Sequence, residues 1–281
     1  MKKVFLIFLT VNLFFACRSQ PFPVEELPPP SALVFKGIEA DDPVHLRLFF
    51  DLQTMAPIPP GSLAKITSWR VEIDGQNASA AFSLDYPHGD FPPKDSIPLR
   101  LDMDIDALVA KNLAPKDEYN ITLVLELEFP SNAASPVRFE VRGSAAFPGV
   151  LPPVFNITDI AILQAELINT RFRVGLRIDN PNPFPVELSA FSYRLYGNGM
   201  FWAEGFERNV LTVNANFSLA GSIFLIMNFI DMDRNILDQI IRLEDVNYRF
   251  TGNFRVSTGV EYLPIFNDGF DLSGFSRVLE R

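Results

Sequence analysis

Apolar and polar residues alternate along several stretches of the chain. In His45-Leu-Arg-Leu-Phe-Phe-Asp-Leu52, the side chains of Leu46, Leu48, Phe50 and Leu52 share one face. Arg171-Phe-Arg-Val-Gly-Leu-Arg-Ile178 repeats the pattern with Phe172, Val174, Leu176 and Ile178. A period of two with one wet face predicts antiparallel strands. Two further stretches match each other. Trp69-Arg-Val-Glu-Ile runs into Asp74-Gly75, and Tyr193-Arg-Leu-Tyr-Gly runs into Asn198-Gly199. Asp-Gly and Asn-Gly favour tight hairpins, because both central residues need positive φ.

The matches continue in order. Leu99 to Asp106 aligns with Phe224 to Asp231, each strand ending in an Asp suited to cap a short helix, over Ala107 to Leu113 and Met232 to Ile241. Tyr119 to Phe129 aligns with Val246 to Val256. Four pairs in one order indicate an internal duplication. The expected first domain covers residues 33–147 and the second 154–281. Pro148-Gly-Val-Leu-Pro-Pro153 joins them, too rich in proline to continue a strand. Short strands at this spacing predict an all-β chain of two tandem sandwiches, each with one short helix.

The N-terminus follows a different pattern. Lys2 and Lys3 precede an almost wholly apolar run from Val4 to Ala16, too short to span a bilayer and suited to an export signal. Cys17, the only cysteine, follows directly. Phe14-Phe15-Ala16-Cys17 resembles a bacterial lipobox, with Phe where Leu is usual. That resemblance implies cleavage after residue 16 and a lipidated, palmitate-bearing Cys17. A non-lipidated secretory peptide or a structural cysteine is the alternative. A diacylated Cys17 would hold the protein on a membrane of the bacterial envelope, facing the periplasm or the outer surface. Residues 17–32, rich in proline, read as the tether.

Composition narrows the functional classes. Hydrophobic residues at 48% and charged residues at 21% exclude a disordered chain. A net charge of −10 argues against nucleic-acid binding. One Cys and two His leave no zinc site of Cys and His and no disulfide framework, and no cofactor is expected. Asp102, Asp104 and Asp106 lack the Gly and Glu of a calcium loop. Neither His45 nor His88 falls in a nucleophile or metal motif, so no enzyme is expected.

One motif points to a family. A strand running into Asp179-Asn180-Pro181-Asn182-Pro183-Phe184-Pro185-Val186, then an aromatic strand and a Gly-rich hairpin, resembles the late embryogenesis abundant group 2 family. Its module is also called the water stress and hypersensitive response domain. The resemblance covers most of 154–270. It implies a Greek-key, fibronectin- or immunoglobulin-like sandwich with a role in stress or desiccation tolerance and no catalytic residues. The first domain has Met55-Ala-Pro-Ile-Pro-Pro60 at the matching place, with no Asn. On physical grounds Asn180, Pro181, Asn182 and Pro183 should end a ladder at a sheet edge; a ligand-binding role is the alternative.

The aligned strands differ on their wet faces. Arg100, Asp102 and Asp104 of the first domain face Leu225, Met227 and Phe229 in the alignment. Those three either pack inside the protein or form a candidate apolar groove for a lipid or an unfolded client protein. The expected function is a non-enzymatic, membrane-anchored lipoprotein that protects envelope components. The alternative is a carrier of lipid or another apolar ligand.

Overall fold

The computed structural model describes residues 31–54, 65–87, 96–129, 137–164, 170–227 and 245–280. The first half contains β1 (Ser31–Ala40), β2 (His45–Thr54), β3 (Lys65–Ile73), β4 (Gln76–Asn77), β5 (Phe82–Asp85), β6 (Ser96–Asp104), β7 (Glu118–Phe129) and β8 (Val137–Pro148). A short helix, α1 (Ile105–Val109), lies between β6 and β7. The second half contains β9 (Val154–Gln164), β10 (Thr170–Asn180), β11 (Val186–Gly197), β12 (Met200–Glu207), β13 (Leu211–Val213), β14 (Phe217–Met227), β15 (Asp245–Ser257) and β16 (Ile265–Glu280). The chain is an all-β sandwich protein.

Strand order repeats between the halves. The first has sheets β1-β2-β6-β5 and β4-β3-β7-β8; the second has β9-β10-β14 and β12-β11-β15-β16. The first half thus sets four strands over four, and the second three over four with β13 paired to β11. Both hairpins carry positive φ at the expected residues, Asp74 and Gly75 in one, Asn198 and Gly199 in the other. In the second half the last residues of β16, Val278–Glu280, run parallel to Ile160–Ile162 of β9 and join the two sheets at that side.

Alternation drives the packing. Leu46, Leu48, Phe50 and Leu52 of β2 are buried with Leu99, Leu101 and Met103 of β6 and with Leu123 and Leu125 of β7. A second cluster gathers Phe172, Val174, Leu176, Ile178, Phe191, Leu195 and Phe250. Each such side chain contributes about 1.5–3 kcal/mol by leaving water. Each half therefore has its own apolar interior.

One strand is differently placed. β5 pairs with β6, at Phe82↔Met103, Ser83↔Asp102, Leu84↔Leu101 and Asp85↔Arg100. Its counterpart β13 pairs instead with β11, at Val186↔Val213, Glu187↔Thr212 and Leu188↔Leu211. Among the described strands β14 consequently ends its sheet.

Helix α1 starts earlier than expected. Asp104, not Asp106, is the N-cap, and its carboxylate accepts from the Ala107 N–H at 3.2 Å. Asp106 lies in the helix rather than on a strand. The second expected helix and its cap Asp231 lie outside the described residues.

The joint is bonded to both halves. The Gly149 N–H donates to the Asp117 carbonyl at 2.8 Å, and a Cβ on Gly149 would sit 2.0 Å from the Lys116 carbonyl oxygen. Only glycine fits so close to a backbone. Tyr262, whose ring packs on both apolar clusters, donates its hydroxyl to the Pro148 carbonyl at 2.6 Å. Burial, and then the nearby Tyr119, push its phenol well above the ordinary value, so it stays a donor. Tyr262→Phe should cost about 1 kcal/mol, the net worth of one such bond, read as a lower midpoint in chemical denaturation.

Candidate functional site

The Asn-Pro-Asn-Pro turn follows β10, and β10 pairs with β9 on one side and β14 on the other. The motif therefore ends a central strand, not an edge strand as its composition suggested. Proline is tolerated there because the ladder has already stopped: Asn180 is the last residue of β10 and pairs with Phe217.

Asn180 and Asn182 are 2% and 1% exposed. The Asn180 amide donates to three carbonyls, those of Phe184, Val213 and Asn214, at 2.8, 3.1 and 3.0 Å. Its oxygen accepts from the backbone N–H and the side-chain amide of Asn182, at 3.0 and 2.9 Å. Asn182 bonds Leu151 as a strand would, accepting from its N–H at 2.7 Å and donating to its carbonyl at 2.8 Å. The Asn182 carbonyl accepts from the Asn216 N–H at 2.9 Å. Two side chains thus connect the joint, the end of β10 and the β13–β14 turn. Their polar groups are bonded inside the fold.

The candidate groove is placed differently from its expected position. Leu225 is 1% exposed and belongs to the second core, as does Ile223. The neighbouring Phe224 and Ile226 point outward, 63% and 60% exposed. Met227 ends β14, and Phe229 lies outside the described residues, as does Cys17. Pairing explains the difference. Leu46 faces Met103 and the aligned Phe172 faces Leu225, so Met103 corresponds to Leu225. Aligning Leu99 with Phe224 is off by an odd number of residues, and an odd slip exchanges the two faces of a strand. The wet-face positions Asp102 and Asp104 correspond to Phe224 and Ile226.

A hollow of about 400 Å³ in the first half is lined by Asp41, His45, Arg47, Ser83, Asp102 and Asp104, among others. His45 Nδ1 lies 3.1 Å from Asp42, and that hydrogen bond, then the charge of Asp42, raise its affinity for a proton. For Asp42, burial acts to raise the pKa, but hydrogen bonds from His45 and Val44 outweigh it and hold the carboxyl below the ordinary value. The other carboxylates are already engaged: Asp41 pairs with Arg47, Asp102 with Arg100, and Asp104 caps α1. Among the described residues no hydrogen bond joins Ser83 to His45. Among them no group of three or more His, Cys, Asp or Glu is placed to hold a metal ion. No helix among them is long and apolar enough to cross a membrane.

No protein-family model matches the chain, and no curated protein matches it. Solved structures give distant likenesses. One is a protein from Archaeoglobus fulgidus, 17% identical, covering 44% of this chain and 97% of that one at a TM-score of 0.27. Another is a protein of unknown function from Porphyromonas gingivalis W83, 13% identical, covering 86% of this chain and 99% of that one at a TM-score of 0.25. A third is a calcium-binding mutant of Bacteroides uniformis beta-glucuronidase 2, 10% identical, covering 81% of this chain but 26% of that one at a TM-score of 0.23. At these identities and TM-scores they carry no functional argument.

Proposed function

We propose that the protein is a non-enzymatic lipoprotein of the late embryogenesis abundant group 2 type, held on an envelope membrane through Cys17 and protecting what lies beside it. The observation that carries this is the Asn180–Asn182 network. The motif behind the family resemblance is spent on holding strands and joint together, as expected of a module whose signature specifies architecture rather than a ligand. The burial of Leu225 supports the same choice, because it removes a residue from the groove that a lipid carrier would need.

Two measurements test it. Cys17→Ala should shift the protein from the detergent phase to the aqueous phase after signal cleavage; a variant that still partitions with detergent would contradict the anchor. Vesicles dried with the wild-type protein should leak less on rehydration than vesicles dried with an equal mass of albumin. Equal leakage would remove the protective function.

A further inference from the structure

We propose that β14 is a self-pairing edge, through which two copies of the chain join their sheets in antiparallel fashion about a two-fold axis. The proposal stands apart from the protective function and needs neither the anchor nor the family.

Three observations lead to it. First, the position is one at which this fold accepts a strand. In the first half β5 occupies the free side of β6 from Arg100 to Met103. By the pairing of Leu46 with Met103 and of Phe172 with Leu225, the matching stretch in the second half is Ser222 to Leu225. There β13 is drawn away to β11 and held by the Asn180 amide on the carbonyls of Val213 and Asn214. Among the described strands only β10 forms a ladder with β14; β12 passes nearby without pairing.

Second, the edge lacks the usual protection. Natural edges are blunted by charge, by proline or by being short. β6, which is covered, carries Pro98, Arg100, Asp102 and Asp104. β14, which no described strand but β10 pairs, runs for 11 residues as FSLAGSIFLIM, with no charge and no proline.

Third, the occupant that fits is a second copy. An antiparallel strand pairs with itself about a two-fold, so one patch serves both partners. In a chain of net charge −10, an uncharged strand is where two copies can meet without like charges opposing. A register centred on Leu225 pairs Ile223 to Met227 of the two copies and places Phe224 of each opposite Ile226 of the other.

Sedimentation equilibrium of the full chain in density-matched detergent tests this. The wild type should be dimeric. Phe224→Lys and Ile226→Glu, each at an exposed site, should each weaken the dimer about tenfold or more, with far-UV circular dichroism unchanged and melting unchanged in dilute, monomeric protein. Mixing the two variants should restore a heterodimer, because the register sets the new lysine of one copy against the new glutamate of the other. A wild type that stays monomeric overturns the proposal and leaves the edge to a different occupant. So does a dimer that both variants leave intact, and so does a mixture that fails to re-associate.

Discussion

Asn180→Leu should destabilise the second half by about 3–4 kcal/mol. Leucine keeps the branched skeleton of asparagine but puts two methyls in place of the amide oxygen and nitrogen, so every hydrogen bond of the side chain is lost. The carbonyls of Phe184, Val213 and Asn214 lose their donor, and the buried N–H of Asn182 loses its acceptor. Groups stranded in a dry place carry the full desolvation cost, which exceeds the modest net value of a bond made in exchange with water. Trp69 and Trp202 are the two tryptophans and lie in different halves, so in a Trp69→Phe background the fluorescence of Trp202 reports the second half alone. A urea midpoint within error of the parent would show the network to be dispensable. The ligand-binding alternative for the motif would then regain ground.

Leu225→Asp should cost about 4 kcal/mol or more, whereas Ile226→Asp should change stability by about 0.5 kcal/mol or less. The two residues are adjacent in sequence and differ only in face. Leu225 packs in the core with Phe172 and Ile223, where an aspartate would either ionise without a partner or bind a proton well above its ordinary pKa. Ile226 faces water in the monomer, so the comparison is made in dilute protein by the same urea titration. Equal losses at both positions would mean that both faces of β14 are covered. A larger loss at Ile226 would reverse the faces and restore the groove.

These two substitutions mark where the sequence was readable and where it was not. Period-two alternation in β2 and β10 located the strands and their inward residues, because one wet face breaks the symmetry between the two sides. The Asp74-Gly75 and Asn198-Gly199 turns were readable for a local reason, the positive φ they tolerate. In β14 the signal fails. Ile223, Phe224, Leu225 and Ile226 are all apolar, so no polar position fixes which face is which, and an odd slip in alignment goes unnoticed. Asp106 reads as the cap, but Asp104, of the same type and two residues earlier, is where the backbone turns into the helix. The motif's composition suggested an edge, but centre or edge depends on partners β9 and β14, one before it in the chain and one well after. Nothing near Tyr262 in sequence announces a bond to Pro148, 114 residues away.

The bonding of the joint also has a mechanical consequence. A six-residue linker with free carbonyls would act as a hinge between the halves. Here bending would have to break the Gly149–Asp117 bond on one side and the Leu151–Asn182 pair and the Tyr262–Pro148 bond on the other. The bonds across the joint thus oppose bending between β8 and β9, and a load on one half is carried into the other through Gly149, Leu151 and Tyr262.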